Sequence, residues 1–201
     1  MKKIYAFTCA LIVLLTMAMS AEALEYKTIS RSNGEAANAY WTETNGDINT
    51  ETYLYVTESN GRTDISLYIY TYDMTTYTLS EMSGYLCTQD NVFNMNNKLN
   101  SASLSDVQIE VYESYYDEME GYYTSIYAGT LTVSVDWTGI GNTIKSSYKS
   151  TSKDGDYVWR SSDSSSHRSA IATGLINGDD LGSSDSATLN KFKQAYIDMK
   201  K

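Results

Sequence analysis

The sequence predicts an all-β fold: a single-domain antiparallel β-sandwich of jelly-roll or immunoglobulin-like size, with about ten strands and one C-terminal α-helix. Three observations carry that reading. No proline occurs in 201 residues, where ordinary usage is about 5%, so no backbone N–H is removed from a sheet ladder by a proline ring. Nineteen tyrosines are present, and tyrosine suits a pleated surface because its ring packs while its hydroxyl stays hydrated. Finally, Asn-Gly and Asp-Gly pairs recur between apolar-alternating runs, which is the sequence signature of hairpins.

Residues 1–23 read as a secretory signal peptide. Lys2 and Lys3 form a basic start, Ile4 to Met19 an apolar stretch of 16 residues, and Ala21-Glu22-Ala23 a small-residue cleavage site before Leu24. The stretch is shorter than the roughly 20 residues a spanning helix needs. Cys9 lies inside it and no cysteine adjoins the cleavage site, which argues against a lipid anchor. The expected location is extracellular or cell-surface. The absence of any Asn-x-Ser/Thr sequon fits a prokaryotic source.

Cleavage leaves 178 residues, enough for one domain spanning 24–201. Loss of two lysines and one glutamate moves the net charge from −10 to −11. Such a surface repels nucleic acid and anionic membranes, and it suits solubility, cations or neutral ligands such as polysaccharide; a surface protein is the other partner expected. Cys87 is the one cysteine left, so no internal disulfide can form, and its place in Tyr85-Leu86-Cys87 predicts a small buried hydrophobe.

Taking the strands in order, Asn60-Gly61 is a type I′ turn signal that pairs Val56 with Ile65, Leu54 with Leu67 and Thr52 with Ile69 on one face. The other face then carries Tyr55 opposite Ser66, Tyr53 opposite Tyr68 and Glu51 opposite Tyr70. Asn45-Gly46 gives a second turn, which puts Ala37, Ala39 and Trp41 on the aliphatic side and Asn38 and Tyr40 on the tyrosine side. Two independent turns agree on the core side of a three-stranded meander. Residues Gln89 to Asn100 read as a loop or a short helix. Val107, Ile109 and Val111 pair with the run Leu131, Val133, Val135 and Trp137 across an acidic turn from Asp117 to Gly121. Asp154-Gly155 signals another hairpin, with Tyr148, Tyr157 and Trp159 on one face, and a strand from about His167 to Ile176 ends at Asn177-Gly178. The helix is expected over about 185–200, from the spacing of Leu189, Phe192, Tyr196 and Met199, with Ser184 or Ser186 as cap.

Catalytic chemistry finds few carriers. His167 is the only histidine, and its serine-rich setting is a turn or strand edge with no nucleophile elbow. One histidine and one remaining cysteine cannot make an ordinary zinc site. Glu110, Glu113, Asp117, Glu118 and Glu120 cluster about one hairpin and are the only material for a carboxylate-dependent glycosidase, with no pair singled out. Calcium is the one cofactor with candidate ligands, namely Asp117, Glu118 and Glu120 in that turn and Asp179, Asp180 and Asp185 after β-strand residue Ile176; neither set has EF-hand spacing.

The tyrosine face is the strongest functional lead. Tyr40, Tyr53, Tyr55, Tyr68, Tyr70 and Tyr72 are placed on one side of the meander, where rings can stack on sugars or dock a protein. The alternative is that they are cross-strand pairs stabilising a solvated sheet, or are covered by the C-terminal helix. The function expected is therefore a non-catalytic secreted or surface protein that binds carbohydrate or a protein partner. A structural subunit of a surface layer or filament is the first alternative, and the glycosidase the second.

Overall fold

A computed structural model describes residues 26–117 and 121–200, so the signal segment lies outside the described residues. The elements are β1 (Tyr26–Asn45), β2 (Ile48–Ser59), β3 (Arg62–Asp73), β4 (Thr78–Thr88), β5 (Phe93–Met95), β6 (Ser101–Asp117), β7 (Tyr122–Gly139), β8 (Ile144–Asp154), β9 (Tyr157–Ile176), β10 (Asp179–Ser183) and β11 (Ser186–Lys200). All eleven belong to one antiparallel sheet, with no helix among the described residues.

The order runs β10-β9-β11-β1-β2-β3-β4-β6-β5, and β7 pairs with both β6 and β9 while β8 pairs with β9. The all-β antiparallel expectation holds. The two facing sheets of a sandwich are corrected to a single sheet, because β7 joins β6 to β9 and thereby links strands that a sandwich keeps apart. The pairings even form a circuit, from β1 through β2, β3, β4, β6, β7, β9 and β11 back to β1.

The described residues divide into two compact units. The larger, residues 32–147 and 163–194, holds the hydrophobic core. Its inward side carries Ala37, Ala39 and Trp41 of β1, Leu54 and Val56 of β2, and Ile65 and Leu67 of β3, each 4% exposed or less. The registers are those the Asn60-Gly61 turn dictates: Val56 opposite Ile65, Leu54 opposite Leu67, Tyr53 opposite Tyr68. Both turn residues take positive φ, +56° and +74°, as type I′ requires. The first hairpin differs in detail. Its loop is Gly46-Asp47 rather than Asn45-Gly46, with Asn45 facing Ile48. Moving the loop by one residue leaves the parity of the faces unchanged, so Ala39 still meets Leu54 and Tyr40 still meets Tyr53.

In β6 and β7, Val107 faces Val133 and Ile109 faces Leu131. Leu104 and Val107 are both buried although three apart, which strict alternation forbids. A register shift between them supplies the extra residue, with Asp106 at φ +51° and its N–H donating to Ser134 Oγ at 2.9 Å. The asparagine-rich segment contains β5, whose Phe93 packs edge-on against Trp137 at 6.2 Å between centroids. Trp137 is itself 1% exposed, and its Nε1–H donates to the Asn38 carbonyl at 2.9 Å, so burial leaves the indole satisfied.

The C-terminal helix is corrected to the strand β11. Within it Ala187 and Leu189 are buried and their neighbours are not, a period of two rather than 3.6. A helix here would leave β1 and β9 with unpaired backbone edges, which β11 fills. Ser184, foreseen as a helix cap, is tied to the sheet instead, exchanging hydrogen bonds with Ala172 at 2.8 and 2.9 Å, and the neighbouring Asp185 N–H donates to the Tyr40 carbonyl at 2.9 Å.

Cys87 is also corrected, since it is exposed. Leu86 points inward opposite Ile65, and in a strand the residues flanking an inward one point outward. The smaller unit comprises residues 26–31, 148–162 and 195–200 of the described chain. There Val158 is buried, Tyr157 stacks on Trp159 at 5.9 Å, and the Lys200 ammonium lies 5.5 Å from the Tyr157 ring centroid.

Candidate functional site: a tyrosine-lined groove

The outward side of β1 to β4 is a lattice of four strands by four rows, fixed by the registers. The first row reads Asn38, Tyr55, Ser66, Tyr85; the second Tyr40, Tyr53, Tyr68, Ser83; the third Thr42, Glu51, Tyr70, Glu81; the fourth Thr44, Asn49, Tyr72, Leu79. All six tyrosines named from the sequence stand on this face. Among the described residues there is no helix to cover them, which removes that part of the alternative. Tyr55 remains 48% exposed and Leu79 64%.

The rings form a connected set. Tyr40 and Tyr53 lie 4.5 Å apart and tilted by 31°, Tyr53 meets Tyr70 edge-on at 5.9 Å, and Tyr55 meets Tyr68 edge-on at 6.4 Å. The last two contacts run diagonally across the strands, the reach expected of long aromatic side chains. Between them opens a groove of about 580 Å³, lined by Asn49, Glu51, Tyr53, Tyr55, Tyr68, Tyr70, Tyr72 and Leu79. That volume lies in the range of small-molecule sites, about 300–1,000 Å³.

The groove carries negative charge. The Tyr53 hydroxyl donates to Glu51 Oε2 at 2.8 Å, and this bond, ahead of partial burial, raises the phenol's pKa far above its ordinary value. Tyr70 is also raised, mainly by desolvation and then by the field of Glu81. Both phenols therefore stay protonated, as hydrogen-bond donors, through neutral and mildly alkaline pH. Beyond the first row, Arg62 is held by Asp64 at 2.7 Å and donates to the Tyr85 hydroxyl at 3.1 Å, while that hydroxyl donates to Asp64. Asp64 is lowered by these two bonds.

Sequence reading missed the β4 column of Leu79, Glu81, Ser83 and Tyr85. The β3–β4 loop contains no glycine. It is closed by Asp73, whose Oδ1 accepts from the Thr75 and Thr76 N–H groups at 2.8 and 3.1 Å and whose carboxyl is lowered by them, with Tyr77 at φ +58°. An aspartate opening a threonine-rich loop is an Asx-turn signal and could have located it.

Among the described residues, the other candidates are not brought together. Asp180 Oδ1 accepts from the Gly182 N–H at 2.8 Å, and Asp185 Oδ2 accepts from the N–H and hydroxyl of Thr42 at 2.6 and 2.7 Å. Asp179 is exposed at the start of β10. Asp117 ends β6 opposite Tyr122, and Glu118 and Glu120 lie outside the described residues. Among the described residues, no three histidine, cysteine, aspartate or glutamate side chains gather as a metal site. Glu113 accepts from Ser80 at 2.9 Å and Glu110 from the Tyr112 hydroxyl at 3.3 Å. Three residues apart on a strand that alternates regularly there, these two glutamates point to opposite faces. His167 is exposed on β9. No family model, curated protein or solved structure matches this chain.

Proposed function

We propose that the protein is a non-catalytic secreted or cell-surface protein that binds carbohydrate on the tyrosine face of β1 to β4. The observation that carries this reading is the open groove of about 580 Å³ walled by tyrosine rings. Sugar rings present apolar C–H faces that pack on aromatic rings, and their hydroxyls match the phenols, the Asn49 amide and the Glu51 carboxylate that border the groove. Tyr53 and Tyr68 form its centre, because they face each other directly across β2 and β3.

The test is affinity electrophoresis through gels containing soluble β-glucan, xylan or glycol chitosan. Retardation by at least one of these is expected for the natural protein, and loss of it when Tyr53 and Tyr68 are both replaced by serine. Each ring should contribute roughly 1–2 kcal/mol to a desolvated contact. Circular dichroism of the double variant should keep its strand signal. Unimpeded migration of the natural protein in all three gels defeats the proposal, as does undiminished retardation of the folded double variant.

A further inference from the structure

We infer that the saccharide taken by this groove bears free amino groups, its rings packed on the tyrosines and its ammonium groups facing Glu51 and Glu81. The inference rests on the carbohydrate reading and adds the charge of the ligand.

Charge complementarity carries it. Glu51, Tyr70 and Glu81 are consecutive in one row across β2, β3 and β4, and neighbouring strands lie about 4.8 Å apart. The backbone positions of the two glutamates therefore stand roughly 10 Å apart, with that of Tyr70 between them. The sixteen positions of the lattice include these two acids and no lysine or arginine. Among the described residues neither glutamate is in an ion pair, and the only guanidinium near the face is held by Asp64 and Tyr85. The whole chain, these two glutamates included, has a formal charge of the same sign, −10.

An aromatic residue flanked in its row by two acidic residues attracts a cation by its ring quadrupole as well as by charge. A saccharide carrying uronic acids would be repelled, and a neutral one would meet both glutamates with hydroxyl hydrogen bonds alone, offsetting their desolvation less than a charged partner does. A bare ammonium ion would leave most of the groove unfilled. An aminated sugar answers both the ring-lined volume and the paired acids.

The experiment compares glucosamine oligomers, their N-acetylated counterparts of equal length and polylysine by calorimetric titration at about pH 5.5, above the ordinary glutamate value of about 4.3. The expected result is binding of the aminated oligomer roughly tenfold tighter than the acetylated one, weakening with added salt. Replacing Glu51 and Glu81 together by glutamine should erase that preference, with the melting curve confirming the fold. Equal affinity for the two oligomers overturns the inference and leaves the carbohydrate reading standing. Failure of both oligomers to bind overturns the inference, while the β-glucan and xylan gels decide the carbohydrate reading separately. Polylysine binding as tightly as the aminated oligomer, and unaffected by Tyr53→Ser with Tyr68→Ser, shows attraction by charge alone and also overturns it.

Discussion

The two sides of β1 to β4 share every backbone hydrogen bond yet have opposite fates. On one side Leu54, Val56, Ile65 and Leu67 are each 1% exposed or less; on the other Tyr55, Tyr72, Tyr85 and Leu79 are between 36% and 64% exposed. The difference lies in what each side chain can do with water. A leucine or isoleucine gains only by leaving it, so the aliphatic side is driven against the rest of the core. A tyrosine packs its ring against a neighbour and keeps its hydroxyl hydrated, so the second side is stable without a lid and stays available to a ligand.

The largest expected effect that sharpens this contrast is on the sealed side. Leu54→Ala should destabilise by about 2–5 kcal/mol, the loss of a fully buried side chain plus the cavity left behind, read as a lowered urea midpoint. Next comes the seam where β4 meets β6. A Cβ at Gly84 would lie 2.7 Å from the Glu110 carbonyl oxygen and from Ile109 Cγ2, so Gly84→Ala should cost about 1–3 kcal/mol by overpacking, measured the same way. Tyr55→Ala on the open side should cost less than about 1 kcal/mol, because it removes one edge contact with Tyr68 from a solvated surface. A Tyr55→Ala melt more damaged than that of Leu54→Ala would invert the assignment of the two sides.

How far the sequence could be read follows from where the deciding contacts lie. The faces of β1, β2 and β3 were legible because two short turns set their registers locally, and even a one-residue misplacement of the first loop preserved parity. The C-terminal segment was misread because Leu189, Phe192, Tyr196 and Met199 happen to recur at helical spacing, among lysines and alanines that favour helix. Its true state is decided by β1 and β9, partners far away in sequence. Cys87 was misplaced because three apolar-looking residues in a row conceal alternation. Glu81, which the inferred ligand charge requires, sat on a strand whose preceding turn lacks glycine. The groove was thus half visible: its tyrosines could be named, and its fourth wall could not.

The adjacency of β1 and β11 has a consequence for how the molecule is made. The Thr188 hydroxyl donates to Asn38 Oδ1 across 150 positions of chain, and closing so long a loop costs on the order of 4 kcal/mol of chain entropy. Local hairpins form in microseconds, but a seam between sequence-distant strands is slow. Until β11 docks, the Asn38 and Tyr40 edge of the tyrosine lattice borders an unpaired strand, open to ladder pairing with another chain. The open edge beside the tyrosine face is therefore closed late, by the strand that emerges last among those described, and an incomplete chain would show itself as a sticky edge on β1.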